Sequence, residues 1–336
     1  MSSSSFYSSP LVVRDDCGSG GGADTFLGLR VASIFIILVG SMFGALFPVL
    51  ASRYSKFINV PKAMFEFAKW FGSGVIIATA FVHLLSPAID ELGSDCLGDA
   101  WNDYPYAIAF CLLSIFSIFI VELIAFRWGT AKLAKLGIVH GKFFFSSASH
   151  SSHSVNNSDV EKIRAENPVL DSPVTQILGV AILEFGVVLH SVFVGLTLAV
   201  DPSFKVLFVV LVFHQTFEGL GVGSRLAYMQ VHLPPAYRNF PIWGALLYGI
   251  TTPVGIAAGL GVRSTYNPGS ATASIVSGVM DSLSAGILIY TGMVELLAHE
   301  FLFSREMQAS SNARLARCVC TMLLGCGLMA LLGKWA

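Results

Sequence analysis

The chain has 336 residues, 54% of them hydrophobic and only 12% charged, with a formal net charge of −1. That charge fraction is about half of what a soluble domain carries, which excludes an ordinary water-facing surface. The near-neutral balance, with no basic cluster, excludes nucleic acid as a partner, and a mean hydropathy of +0.71 points to the lipid bilayer as the surrounding medium.

Residues 1–26 are polar and rich in Ser and Gly. They lack the early apolar core of a signal peptide, so the first apolar run is expected to direct insertion itself. Apolar runs follow at 27–51, 65–89, 105–127, 174–200, 204–228, 241–262, 272–298 and 315–333. Each is long enough to cross about 30 Å of hydrocarbon at about 1.5 Å per residue. The predicted fold class is therefore all-α, a polytopic membrane protein with eight transmembrane helices.

The second run contains GSGVIIATA (72–80) and the sixth GIAAGLG (255–261). Small residues at this spacing let helices approach closely. Pro253 lies inside the sixth run, where a kink or a freed carbonyl is expected. The predicted organisation is a non-cytosolic N-terminus (1–26), helices one to three (27–128), a loop (129–172) and helices four to eight (173–336). The loop holds His140, His150, His153 and a serine cluster. Its composition cannot build a core, and it reads as a flexible linker, with weak metal sensing or delivery by HSSH (150–153) as the alternative.

Alternate loops divide the twenty basic residues unequally. Arg14, Arg30, Lys205, Arg263 and Lys334 fall on one side of the membrane and the other fifteen on the opposite side. The positive-inside rule makes the richer side cytosolic and puts both termini outside the cytosol. The loop from Asp90 to Asp103 then lies outside, with five acidic residues and no basic one. Cys17 and Cys96 share that side, where a disulfide between them is compatible with the redox environment. Cys111, Cys318, Cys320 and Cys326 lie in or beside apolar runs and read as core thiols.

Ionisable residues inside a spanning helix cost about 2.5–3.5 kcal/mol on insertion scales, so those present must face the bundle interior or water. They are His83 in the second helix, Glu122 in the third, Glu184 and His190 in the fourth, His214 and Glu218 in the fifth, and Asp281 and Glu295 in the seventh. In FHQTFEGLGVG (213–223), His214 and Glu218 are i and i+4 and project from one helical face. An imidazole nitrogen and a carboxylate oxygen are ligands that zinc accepts readily. His190 and Ser191 lie in LHSVFVG (189–195), and one short turn at Asp201 and Pro202 separates the two helices. Antiparallel neighbours joined there bring His190 and His214 to a similar depth near mid-membrane. Glu184 lies six residues before His190 and points to a different face. Glu122 and Glu295 read as structural pairs or as vestibule residues, and Asp281 as either a relay or an interhelical hydrogen bond.

At LEFGVVLHSVFVGL (183–196), HQTFEG (214–219), TTPVGIAAG (251–259), SAGILIYTGMVELLAHEF (284–301) and ATAFVHLL (78–85), the sequence resembles the ZIP (ZRT/IRT-like) family of divalent metal transporters, in its fungal and plant branch. The resemblance spans nearly the whole chain. It implies a ZIP-type bundle of eight helices with both termini non-cytosolic, homodimers, and movement of metal into the cytosol. By position it makes His190, His214 and Glu218 the transport ligands, with Ser191 and Gln215 as weaker polar contributors and His83 as an accompanying histidine. Val194 and Thr252 stand where some members carry glutamate, and Gln215 where some carry aspartate. One transported ion per site, bound less tightly, is expected in place of a two-metal centre.

The expected function is transport of a divalent metal ion, zinc first, with iron(II) and manganese as alternatives that the same ligands accept. The ion is cargo, and no permanently bound cofactor or enzymatic activity is expected. An intramembrane metal hydrolase would need an open coordination position and a substrate pocket, and no HExxH is present. A metal-sensing receptor would use the same ligands without net flux. The acidic outer loop favours the plasma membrane, with exit past Glu295, His299 and Glu300.

Overall fold

The computed structural model of the chain describes residues 25–55, 60–135, 173–230, 237–264 and 269–335, with 233 and 267 as single positions. Among the described residues, eight helices are long and apolar enough to cross a membrane, and no strand is present. They are α1 (Leu27–Arg53), α2 (Lys62–Leu92), α3 (Tyr106–Lys135), α4 (Pro173–Val200), α5 (Phe204–Gln230), α6 (Phe240–Val262), α7 (Ala271–Phe303) and α8 (Asn312–Leu332). All eight coincide with the apolar runs. The all-α polytopic expectation therefore holds.

The helix ends follow from local chemistry. Ser270 accepts a hydrogen bond from the Ala273 amide at 3.2 Å and Ser311 from that of Arg314 at 3.3 Å, so serine oxygens start α7 and α8. α4 stops before Asp201-Pro202, because the residue preceding a proline is driven out of the helical region. The Asp201 carboxylate accepts from the Ser203 amide at 2.6 Å and closes the turn into α5. α3 runs on to Lys135, beyond the start expected for the loop at 129. Residues 136–172, with His140, His150 and His153, lie outside the described residues, as does Cys17. Cys96 is disulfide-bonded, and Cys111, Cys318, Cys320 and Cys326 are free.

Two helices depart from α-helical winding. α2 passes through a π-helical stretch at Thr79–Leu85 that contains His83, and its next amide, on Ser86, bonds the Phe81 carbonyl five residues back. α7 becomes π-helical over Gly292–Phe303, the stretch carrying Glu295, His299 and Glu300.

The helices pack as two groups. α1 lies along α5 and α6, and α6 along α4, while α2 lies along α8 and α7 along α3 and α2. The groups meet where α2 crosses α5 and α7 crosses α4. At the first seam Gly72 faces Gly221, and a Cβ on Gly72 would overlap the Gly221 backbone. Only glycine permits that approach. Ala45, Val49, Ile76, Leu84, Val187, Val222, Tyr248 and Leu288 form a common core across both groups. α3 and α8 are peripheral, with 17% of each apolar window buried, and they present Ile108, Leu112, Phe116, Leu324 and Leu331 outward.

Two clusters of polar residues bind the helices together. Arg30 of α1 is fully buried and donates to the carbonyls of Leu198 (3.1 Å), Ala199 (3.0 Å) and Asp201 (2.7 Å), with its guanidinium 4.5 Å from the Phe204 ring centroid. It therefore serves the carbonyls that the end of α4 leaves without helical partners. Lys69 of α2 and Arg225 of α5 both bind Glu300 of α7, at 2.5 and 2.6 Å, and Arg225 also donates to Ser73 at 2.9 Å. Arg30, Lys69 and Arg225, counted above as loop charges, are thus interior groups, and Glu300 is already engaged by two cations.

Candidate metal centre

The α4–α5 hairpin brings His190 and His214 together. Their Nε2 atoms lie 3.3 Å apart, and Glu218 Oε2 is 3.9 Å from His214 Nε2. One ligand atom from each of the three residues lies within 4.8 Å of the others. All three are buried, at 2%, 1% and 0% exposure. Both Nδ1 atoms, Glu218 Oε1 and the Ser191 hydroxyl have no hydrogen-bond partner among the described residues. A neutral imidazole carries one proton on two nitrogens, so one Nε2 can donate to the other across this gap. A cation placed there would instead be met by both Nε2 lone pairs and by Glu218, leaving each Nδ1 to hold its proton. Tetrahedral zinc with bonds of about 2.0–2.1 Å separates its nitrogen ligands by roughly 3.3 Å.

The remaining residues singled out from the sequence surround this trio. His83 packs edge-on against His214, with ring centroids 4.6 Å apart, but its Nε2 is bonded to the Met329 carbonyl of α8 at 2.9 Å. A carbonyl only accepts, so that nitrogen carries the proton and is turned away from the trio. The Gln215 amide donates to Thr252 of α6, and its Oε1 lies 3.1 Å from the Tyr248 hydroxyl. Gln215 therefore faces α6. Ser191 is fully buried beside His190.

Elsewhere, the Glu184 carboxylate packs against the Gly244 position of α6, away from the trio, and its Oε1 has no partner. Glu122 accepts from the Tyr290 hydroxyl at 2.7 Å, joining α3 to α7. Asp281 accepts weakly from Ser277 of its own helix at 3.5 Å, and its Oδ1 has no partner. Tyr248 was not singled out. The signal available was its place four residues before Thr252, on the same face of α6.

Comparison with known proteins bears on the same region. The ZIP zinc transporter family matches residues 27–333. Zinc-regulated transporter 2 of Saccharomyces cerevisiae is 36% identical over 97% of this chain and 99% of its own length. Zinc-regulated transporter 1 of the same yeast is 39% identical over 92% of this chain and 88% of its own. Fe(2+) transport protein 1 of Arabidopsis thaliana is 33% identical over 92% of this chain and 86% of its own. With the match running from the first spanning helix through the last, and the buried histidine–glutamate cluster lying inside it, this chain belongs to the ZIP family of zinc transporters.

Proposed function

We propose that this protein carries zinc across a membrane into the cytosol, and that His190, His214 and Glu218 are the ligands that hold the ion midway. The convergence of two imidazole nitrogens and a carboxylate oxygen in the buried interior supports this reading most directly. Ser191 lies beside His190, while Gln215 and His83 act on the surroundings of the ligands, through Thr252 and Tyr248 and through the His214 ring. Gln215 and Thr252 bond each other, which leaves no carboxylate for a second cation, so one ion moves per site.

The ion reaches the cluster from the acidic outer loop, exchanges water for the three ligands, and leaves toward the side where α7 carries Glu295 and His299. Movement of one helix group against the other gives alternating access, as in many carriers. Both termini lie outside the cytosol, in the plasma membrane. With the buried Arg30, Lys69 and Arg225 set aside, basic residues still divide thirteen to four in favour of that orientation. Iron(II) is the second cargo to test, because an iron transport protein is among the relatives.

The test is uptake of zinc and of iron(II), offered separately, by cells lacking their own zinc importers, with surface expression measured. His214→Ala and the double variant His214→Ala/Glu218→Ala are expected to reach the membrane and lose uptake. Undiminished uptake in the double variant would overturn the ligand assignment. A wild type that reaches the surface and moves no metal would favour a sensing receptor over a carrier.

A further inference from the structure

Tyr248 is fully buried on α6, and its hydroxyl oxygen lies 2.6 Å from the Gln215 carbonyl, 3.1 Å from Gln215 Oε1 and 3.5 Å from Glu218 Oε2. Its ring can come this close to α5 because residue 219 is glycine: a Cβ there would stand 2.9 Å from Tyr248 Cε1. A phenol has one proton, so among three acceptors it serves one at a time. Among the described residues Glu218 has no other donor in reach: its Oε1 is without a partner, and its Oε2 is otherwise 3.9 Å from His214 Nε2. The hydroxyl thus sits between the α5 backbone, one turn before the carboxylate, and the carboxylate itself.

We propose that Tyr248 is a positioning residue for Glu218, fixing from α6 the direction in which the carboxylate is presented to the cargo and so setting the affinity and the metal preference of the site. The proposal rests on the transport reading above. Turned from the Gln215 carbonyl to Glu218, the hydroxyl gives the ligating carboxylate an outer hydrogen bond, and removal of such a partner costs about 10–100-fold in metal affinity. Tyr248 touches the ligand and not the ion. The two imidazoles do not depend on it, because neither contacts its hydroxyl. Loss of the hydroxyl therefore weakens the oxygen ligand selectively. Cations that rely on oxygen, such as manganese, lose more than zinc, which retains two nitrogen ligands.

The experiment is concentration-dependent uptake of zinc and manganese by wild type and Tyr248→Phe in cells lacking zinc importers, normalised to surface protein. The phenylalanine ring keeps the packing against Gly219 and removes only the donor. The expected result is an apparent KM for zinc raised about tenfold with Vmax retained, and a larger loss for manganese, so that the zinc-to-manganese ratio rises. A merely structural role would lower Vmax through fewer transporters at the surface and leave KM and the ratio unchanged. That outcome would overturn the proposal. Tyr248→Leu, which alters the shape but also lacks the donor, is expected to reproduce the KM shift, and an unshifted KM there counts equally against it. A wild type without uptake would instead remove the transport reading, which separates the two failures.

Discussion

Arg30 donates to three carbonyls at the end of α4 from a fully buried position on α1. Replacing it with methionine keeps much of the length and removes every donor. Each buried acceptor left unsatisfied costs about 1–3 kcal/mol, so Arg30→Met is expected to lower the melting temperature of the detergent-purified protein by several degrees. An unchanged melting curve would show that the carbonyls find other partners. In sequence this arginine looked like a loop charge, because hydropathy does not reveal that a helix end from elsewhere needs a cation. His190, His214 and Glu218 were legible for the opposite reason. An i, i+4 pair and a second histidine across a short turn are local patterns, and a membrane interior makes any ionisable group conspicuous. His83 was conspicuous in the same way, yet its partner is a backbone carbonyl of α8, which no side-chain pattern could announce.

Length and apolarity identified the spanning helices, and capping serines and a proline turn set several of their limits. The pairing of helices was less legible. GSGVIIATA marked α2 as a close-packing element, but nothing in it named Gly221 of α5 as the surface that Gly72 meets. Gly72→Val inserts a branched side chain at the contact between backbones and is expected to cut the folded yield at the cell surface several-fold, whereas Gly28→Ala, with nothing within 4 Å of its position, should leave it unchanged. Equal surface yields for the two variants would mean that α2 and α5 can separate without cost. The π-helical stretches of α2 and α7 were not legible, since wider winding leaves composition and hydropathy untouched. They occur where His83, Glu295 and His299 lie, so the geometry of those residues had to come from the fold.

At the scale of the whole molecule, the three metal-binding groups lie on α4 and α5, the helices that α7 and α2 cross. The helix lengths add a consequence at the same scale. α2 and α7 have 31 and 33 residues, whereas α8 and the apolar part of α3 have 21 and 20. At about 1.5 Å per residue the long pair reaches well past about 30 Å of hydrocarbon, and the short pair just matches it. Lipid chains meet mainly the short pair, because α3 and α8 are the least buried. Hydrophobic mismatch is therefore taken up at the rim: in a thinner bilayer α3 and α8 tilt, in a thicker one the lipid thins beside them, and the α4–α5 hairpin with its histidines keeps its depth relative to α2 and α7.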